Sequence, residues 1–183
     1  MKVKKTKIKD LLIIEPRIYN DSRGSFFESY NQKIYDKFGI ESKFVQDNES
    51  FSKRGTLRGF HFQKPPHAQS KLVRCSFGKV LDIAIDIRLN SPTYGHYVKV
   101  ILSDKNKKQF YIPSGFAHAF LVLSDYALFN YKVDNFYNPS SDSGIYWDDP
   151  SLNIDWGIDK SEIITSKKDS ELKLINDLNS PFI

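Results

Sequence analysis

One cysteine, one methionine and no long apolar run set the first limits on this chain of 183 residues. Cys75 stands alone and has no intrachain partner for a disulfide, and no stretch joins a basic start to an uninterrupted apolar segment of leader length. A reducing, cytoplasmic setting is therefore expected. The longest apolar runs, "LLII" at 11–14 and "AFLVL" at 119–123, fall far short of the roughly 20 residues a membrane helix needs, so no membrane partner is expected. The nine glycines form no G-x-G-x-x-G. "GKV" at 78 lacks the earlier glycine and the hydroxyl of a P-loop, and no G-x-S-x-G elbow is present. Nothing signals NAD, ATP or serine-hydrolase chemistry. Charge is only mildly unbalanced, at +5 from 27 Lys and Arg against 22 Asp and Glu, which suits a small anionic ligand. The opening "MKVKKTKIKD" looks like a nucleic-acid arm, but its lysines alternate with Val and Ile as on the wet side of an edge strand. With no basic helix face and no nucleic-acid motif, no nucleic-acid partner is expected.

Aromatic residues are abundant, with 14 Phe and 10 Tyr, and these types favour pleated strands. "VLDIAIDIR" at 80–88 alternates strictly. Leu81, Ile83, Ile85 and Ile87 point one way, and Asp82, Ala84, Asp86 and Arg88 the other. "SKLVRCSF", "YVKVILS", "QFYIP", "AFLVL" and "ALFNYKV" follow at spacings of ten or so residues, separated by turn residues and not by helical patterns. This predicts a mainly β fold, a jelly-roll β-barrel with a few short peripheral helices, as one domain over 1–183. "NQKIYDKFG" offers a helix with Ile34, Tyr35 and Phe38 on one side and Gly39 as its stop. "DSELKLIND" offers a second, capped by Asp169. "NPSSDSG" at 138–144 reads as a mobile loop.

Polar chemistry concentrates in "LRGFHFQKPPHAQSKLVR" at 57–74. Strand alternation puts Phe60 and Phe62 on one face and His61 on the other, with Gly59 and Gln63. If the phenylalanines fill the space between sheets, His61 lies on the opposite surface; if His61 points inward, it lines a polar cavity. Lys71 alternates with Val73 and Cys75, and Tyr131 with Ala127, Phe129 and Val133, so both polar heads emerge among small or apolar neighbours. The plainer readings are an exposed strand end for Lys71 and a backbone-bonded core tyrosine for Tyr131. In "IPSGFAHAF", Pro113, Gly115 and His118 reproduce the P-x-G-x-x-H spacing of the second cupin motif. A metal-binding cupin also needs an earlier H-x-H pair followed by Glu, and here Phe62 and Gln63 follow His61. A trihistidine site of His61, His67 and His118 is the alternative to a metal-free cupin.

Six separated motifs, "DSRGSFFES", "FVQDNES", "LRGFHFQKPPHAQSKLVR", "DIAIDIRLNSPTYG", "IPSGFAHAFLVLSD" and "IYWDDPSLNIDW", together resemble the dTDP-4-dehydrorhamnose 3,5-epimerase family, collinearly from about Ile14 to Asp169. The resemblance implies a cupin-like fold, no metal and no cofactor, a homodimer, and a nucleotide-sugar substrate, dTDP-4-keto-6-deoxyglucose, epimerised at C3 and C5 during dTDP-rhamnose synthesis. It places the base at His61, the proton donor at Tyr131 and the carboxylate that orients the base at Asp169; because a proton beside a ketone is acidic only when charge spreads onto the carbonyl oxygen, the site also needs an oxyanion stabiliser, a job that suits Lys71 and His118. It also implies substrate contacts from Arg23, Glu28, Gln46, Asp47, Asn48, Arg58, Tyr137, Asp142 and Lys168, with Tyr137 stacked on the thymine. Imidazole suits the base because it ordinarily titrates near neutral pH, and arginine suits a diphosphate because its planar fork makes paired charge-assisted bonds.

Four positions depart from the family pattern: Asp142 replaces a Glu, "SKKD" replaces "SEKD", Gly157 rather than Pro follows Trp156, and Phe60 replaces a Leu. None removes a proton-transfer residue. Alternatives within the resemblance are an epimerase acting at one carbon or on another nucleotide-linked 4-keto sugar, or a non-catalytic sugar-nucleotide binder.

Overall fold

A computed structural model describes residues 1–183. In chain order the elements are β1 (Lys2–Lys5), β2 (Leu12–Glu15), β3 (Tyr19–Asp21), β4 (Gly24–Phe26), α1 (Gln32–Asp36), β5 (Gln46–Lys53), β6 (Leu57–Gln63), β7 (Lys71–Phe77) and β8 (Lys79–Asp86). They continue with β9 (Tyr97–Ser103), β10 (Gln109–Ile112), β11 (Phe116–Val122), β12 (Tyr126–Val133), β13 (Asp142–Gly144) and α2 (Lys167–Ser170). A six-stranded sheet, β1-β2-β10-β7-β12-β5, faces a five-stranded one, β13-β6-β11-β8-β9, and β3 and β4 form a separate hairpin. All ladders are antiparallel, and the two large sheets share no ladder. The result is a mainly β, cupin-like jelly roll that is open as a barrel. As its alternating lysines predict, β1 is the edge strand of the six-stranded sheet.

The alternation read in 80–88 forms β8, yet both of its faces are buried. Val80 and Ala84 face the inter-sheet core with Val73, Cys75, Phe110, Phe120 and Phe129. Leu81, Ile83, Ile85 and Ile87 face the other way, into a second core closed by Phe60, Ile145, Leu152, Ile154 and Trp156. The polypeptide after β13 thus wraps the back of the five-stranded sheet. Burying a side chain of this size contributes about 2 kcal/mol, so the wrap holds fast the segment that ends in α2. The phenylalanines of "GFHFQ" fill this back core, which leaves the inter-sheet face to His61.

Helix α1 forms as expected, ending near Gly39 at φ +77°. Tyr35 is its buried residue, whereas Phe38, expected on the same side, is exposed. The second helix differs from the reading of "DSELKLIND". Helix α2 begins earlier, capped by Ser166 Oγ, which accepts from Asp169 N at 3.1 Å, so Asp169 lies inside the helix. Beyond it, Lys173 bridges to Ile145 and only a 3-10 turn, Ile175–Asp177, follows. The 138–144 segment is likewise not free, since Asp142–Gly144 pair with Gln63–His61 as β13.

Candidate active site

Between the sheets lies a cavity of about 520 Å³, and Arg58, His61, Lys71, His118, Tyr131, Tyr137, Asp142, Lys168 and Asp169 all line it. Two of these reach the inner face through one irregularity. Simple alternation would place Arg58 opposite to His61, but the β6–β11 register shifts, so that His61 faces His118 and Arg58 faces Phe120. Gly59 makes the shift possible. Its φ is +124°, and a Cβ there would sit 2.5 Å from His118 O and 2.7 Å from Ala119. Only glycine accommodates that approach.

His61 is half-buried, and its Nε2 lies 2.7 Å from Asp169 Oδ1. The second carboxylate oxygen accepts from Gly59 N at 3.3 Å. Burial pushes the Asp169 carboxyl upward, but the bond and charge of His61, with help from Gly59 and Ser166, outweigh it and hold Asp169 below its ordinary value. An ionised Asp169 takes the Nε2 proton in a hydrogen bond, which leaves Nδ1 as the basic nitrogen.

Tyr131 stands on β12 of the opposite sheet. Burial raises its hydroxyl above the ordinary value against a smaller lowering by Arg58, so the group stays protonated and able to donate. Lys71, from β7 on the same sheet as Tyr131, reaches across the cavity to donate to His61 O at 3.4 Å. Burial pushes its ammonium down to about 8, although Asp82 and Asp142 pull it upward. His118 Nε2 sits 3.1 and 2.9 Å from the two oxygens of Asp82, a buried pair in which the carboxyl is inaccessible and the imidazole borders the cavity. Burial lowers the imidazole and raises the carboxyl, the direction in which a desolvated pair shares one proton without carrying separated charge.

At the rim, Tyr137 donates to Asp142 Oδ2 at 3.0 Å and Lys168 Nζ bonds the same oxygen. The β5–β12 register sets Asn48 beside Tyr131 and Gln46 beside Val133, on the inner face but outside the cavity lining. Gln46 donates to Asn48 Oδ1 at 2.9 Å and accepts from Tyr137 N at 3.2 Å. Three expected contacts lie elsewhere in this chain. Asp47, one residue out of phase, points to the opposite face and pairs with Lys132 at 2.6 Å. Arg23 lies on the β3–β4 hairpin with 88 % of its side chain exposed and pairs with Asp21, and Glu28, also exposed, accepts from Asn31. Nor do three histidines converge. His67 is engaged by Ser141 and Asn138 outside the cavity, and no group of three or more His, Cys, Asp or Glu is placed to hold a metal.

The sequence reading missed Asp82, Ser50, Gln63 and Gln69 as parts of the site. Asp82 backs His118, the other three line the cavity, and Ser50 Oγ is buried there without a partner. The signal for Asp82 was its phase on β8, shared with Ala84.

The family model described as dTDP-4-dehydrorhamnose 3,5-epimerase matches residues 5–177. The dTDP-4-dehydrorhamnose 3,5-epimerase of Escherichia coli K12 is 51% identical over 179 residues, covering 97% of this chain and 96% of that protein. The crystal structure of the enzyme of that name from Elizabethkingia anophelis superposes with a TM-score of 0.93 at 49% identity, covering 98% of this chain and 99% of the other. A dTDP-6-deoxy-D-glucose-3,5-epimerase from Legionella pneumophila, solved with dTDP-4-keto-L-rhamnose, gives the same TM-score and identity over 97% of this chain and 94% of that one.

Proposed function

The chain belongs to the dTDP-4-dehydrorhamnose 3,5-epimerase family, and from that premise we infer how its cavity carries out the reaction. The protein is an isomerase that converts dTDP-4-dehydro-6-deoxy-D-glucose to dTDP-4-dehydro-L-rhamnose by inverting C3 and C5. The observation that carries the mechanism is the placement of His61 and Tyr131 on facing sheets, with Lys71 spanning between them.

A C–H bond beside the C4 ketone is acidic only because its electron pair can move onto the carbonyl oxygen. His61 Nδ1 removes the proton, the C–H electrons form the C=C bond, and the carbonyl π pair becomes an enolate. The Lys71 ammonium stabilises the oxyanion in a cavity where a preorganised charge acts more strongly than in water, and His118 adds an Nδ1–H donor when the proton between it and Asp82 rests on the carboxyl. Collapse of the enolate takes a proton from Tyr131 on the opposite face, which inverts the carbon. Exchange with solvent returns a proton to Tyr131 and removes one from His61, and the cycle repeats at the second carbon. Asp169 steadies the imidazolium throughout.

Arg58 and Lys168 suit the diphosphate, and the exposed Tyr137 ring suits the thymine. With Gln46 and Asn48 at the rim, they make the nucleotide end of the site. Arg23 and Glu28 would serve a homodimer, in which the β3–β4 hairpin, with Phe26 67 % exposed, reaches another copy. Packing of the polypeptide after β13 onto the five-stranded sheet supports one domain over 1–183, and a reducing, cytoplasmic setting is compatible with the buried free Cys75.

The test is a proton NMR time course in heavy water with dTDP-4-keto-6-deoxyglucose. Loss of both the C3 and C5 signals is expected; loss of one would make this a single-site epimerase, and loss of neither would overturn the reading.

A further inference from the structure

Behind the nucleotide end, one imidazole holds a whole loop. His67 follows the Pro65–Pro66 pair between β6 and β7, and its Nδ1 lies 2.9 Å from Ser141 Oγ while its Nε2 lies 3.1 Å from Asn138 Nδ2. The proton positions follow from the neighbours. Asn138 Oδ1 already accepts from Ser140 N at 2.9 Å and Ser140 Oγ at 2.7 Å, so the amide face turned to His67 is the NH2, which only donates. Nε2 must therefore accept, and Nδ1 carries the proton and donates to Ser141.

The same two loops are joined beneath the ring by Gln63. Its amide donates to His67 O at 2.7 Å and Phe136 O at 3.1 Å and accepts from Asn138 N at 2.7 Å. Lys64 N closes the far side by donating to Ser141 O at 2.8 Å. Tyr137 precedes the clasped Asn138, Asp142 follows the clasped Ser141, and the two are bonded to each other. Four consecutive polar residues, "SSDS", would otherwise leave this segment without an apolar anchor.

We propose that His67 is a positioning residue that sets the affinity for the nucleotide end of the substrate by fixing the loop between Tyr137 and Asp142. This rests on the substrate role assigned above to those two residues. His67 lines no part of the cavity and bonds to none of His61, Lys71, Tyr131 or Asp169. Loosening the clasp therefore weakens binding and leaves proton transfer intact.

The test is His67→Phe, which keeps a flat ring and removes both side-chain bonds. Two lost neutral hydrogen bonds predict a KM raised about five- to tenfold with kcat held within about twofold. Calorimetry with dTDP alone should show a matching loss of affinity, and Ser141→Ala in the His67→Phe background should add little, because both act through one bond. Wild-type KM and dTDP affinity in His67→Phe would overturn the proposal, as would a fall in kcat at constant KM. If His67→Phe fails to fold, Ser141→Ala alone decides, and unchanged dTDP affinity there overturns it. A wild-type protein that binds dTDP without turnover would instead defeat the functional reading, and the dTDP titrations would still judge the clasp.

Discussion

Asp82 and Asp86 lie on the same strand and the same face, and both are inaccessible to solvent, yet their surroundings treat them in opposite ways. Asp86 accepts from Arg88 Nε at 2.9 Å and Nη2 at 2.8 Å, from Ser91 Oγ at 2.6 Å and from Thr93 Oγ1 at 2.7 Å. Burial alone would raise it, but these donors hold it down to about 2. Asp82 has only His118 in hydrogen-bond contact and Lys71 nearby, and burial lifts its carboxyl. One end of β8 is saturated with donors and holds the fold. The other is left short of them, beside a cavity where charge must shift during the reaction. A fully satisfied carboxylate is a poor participant in chemistry, because every partner resists its change of state.

Substitutions at the two ends should therefore separate activity from stability. The largest effect is expected from His61→Ala, a loss of about a thousandfold in proton exchange at both carbons, with the folded state kept. Deuterium uptake followed by NMR reads this, and wild-type exchange would remove His61 from its role. Tyr131→Phe should slow net inversion more than it slows loss of substrate deuterium, since the base remains; equal slowing of both would deny it the donor role.

At the other end, Asp86→Ala leaves the Arg88 guanidinium without its main partner and should cost about 3 kcal/mol of stability in urea unfolding. Activity per folded molecule should be unchanged. Asp82→Asn reverses the pattern, with about a tenfold loss of activity and less than about 1 kcal/mol of stability, because it neutralises a carboxyl that burial already disfavours. Comparable stability losses at both positions would erase the contrast.

Two pH profiles sharpen it further. Lys71 is charged below its value of about 8 and neutral above it, so kcat/KM should fall as pH rises through that point. Because Asp82 pulls that value upward, Asp82→Asn should move the basic limb lower. Asp86 has a depressed folded value, so its stabilisation is complete above its unfolded pKa of about 3.9 and is lost as pH falls toward 2. Acid unfolding of Asp86→Ala should accordingly be shallower over that window.

Much of this was legible in the residues. The spacing of β7 through β12, the edge position of β1, and the inward heads of Lys71 and Tyr131 follow from period-two alternation, which needs only local geometry. Strand β5 was not legible, because "QDNESFSK" carries polar residues on both faces and, of its inner ones, Ser50 lines the cavity while Gln46 and Asn48 sit beyond its lining, so no apolar face marks the strand. The phase of Arg58 was hidden for a different reason, since a bulge at Gly59 cancels alternation over three residues.

By itself, then, the sequence determined the β-rich architecture and the family, and it singled out His61, Tyr131 and Asp169 as candidates for base, donor and orienting carboxylate, because residue type and order are local properties. Only the tertiary structure decided that both faces of β8 are buried, that His61 rather than the phenylalanines faces the inter-sheet cavity, that Asp47 turns away, and that Asp82 stands behind His118. Each depends on which chain segment covers which sheet face. That is settled by long-range packing between residues far apart along the chain, such as Phe60 against Trp156 and Gly59 against Ala119.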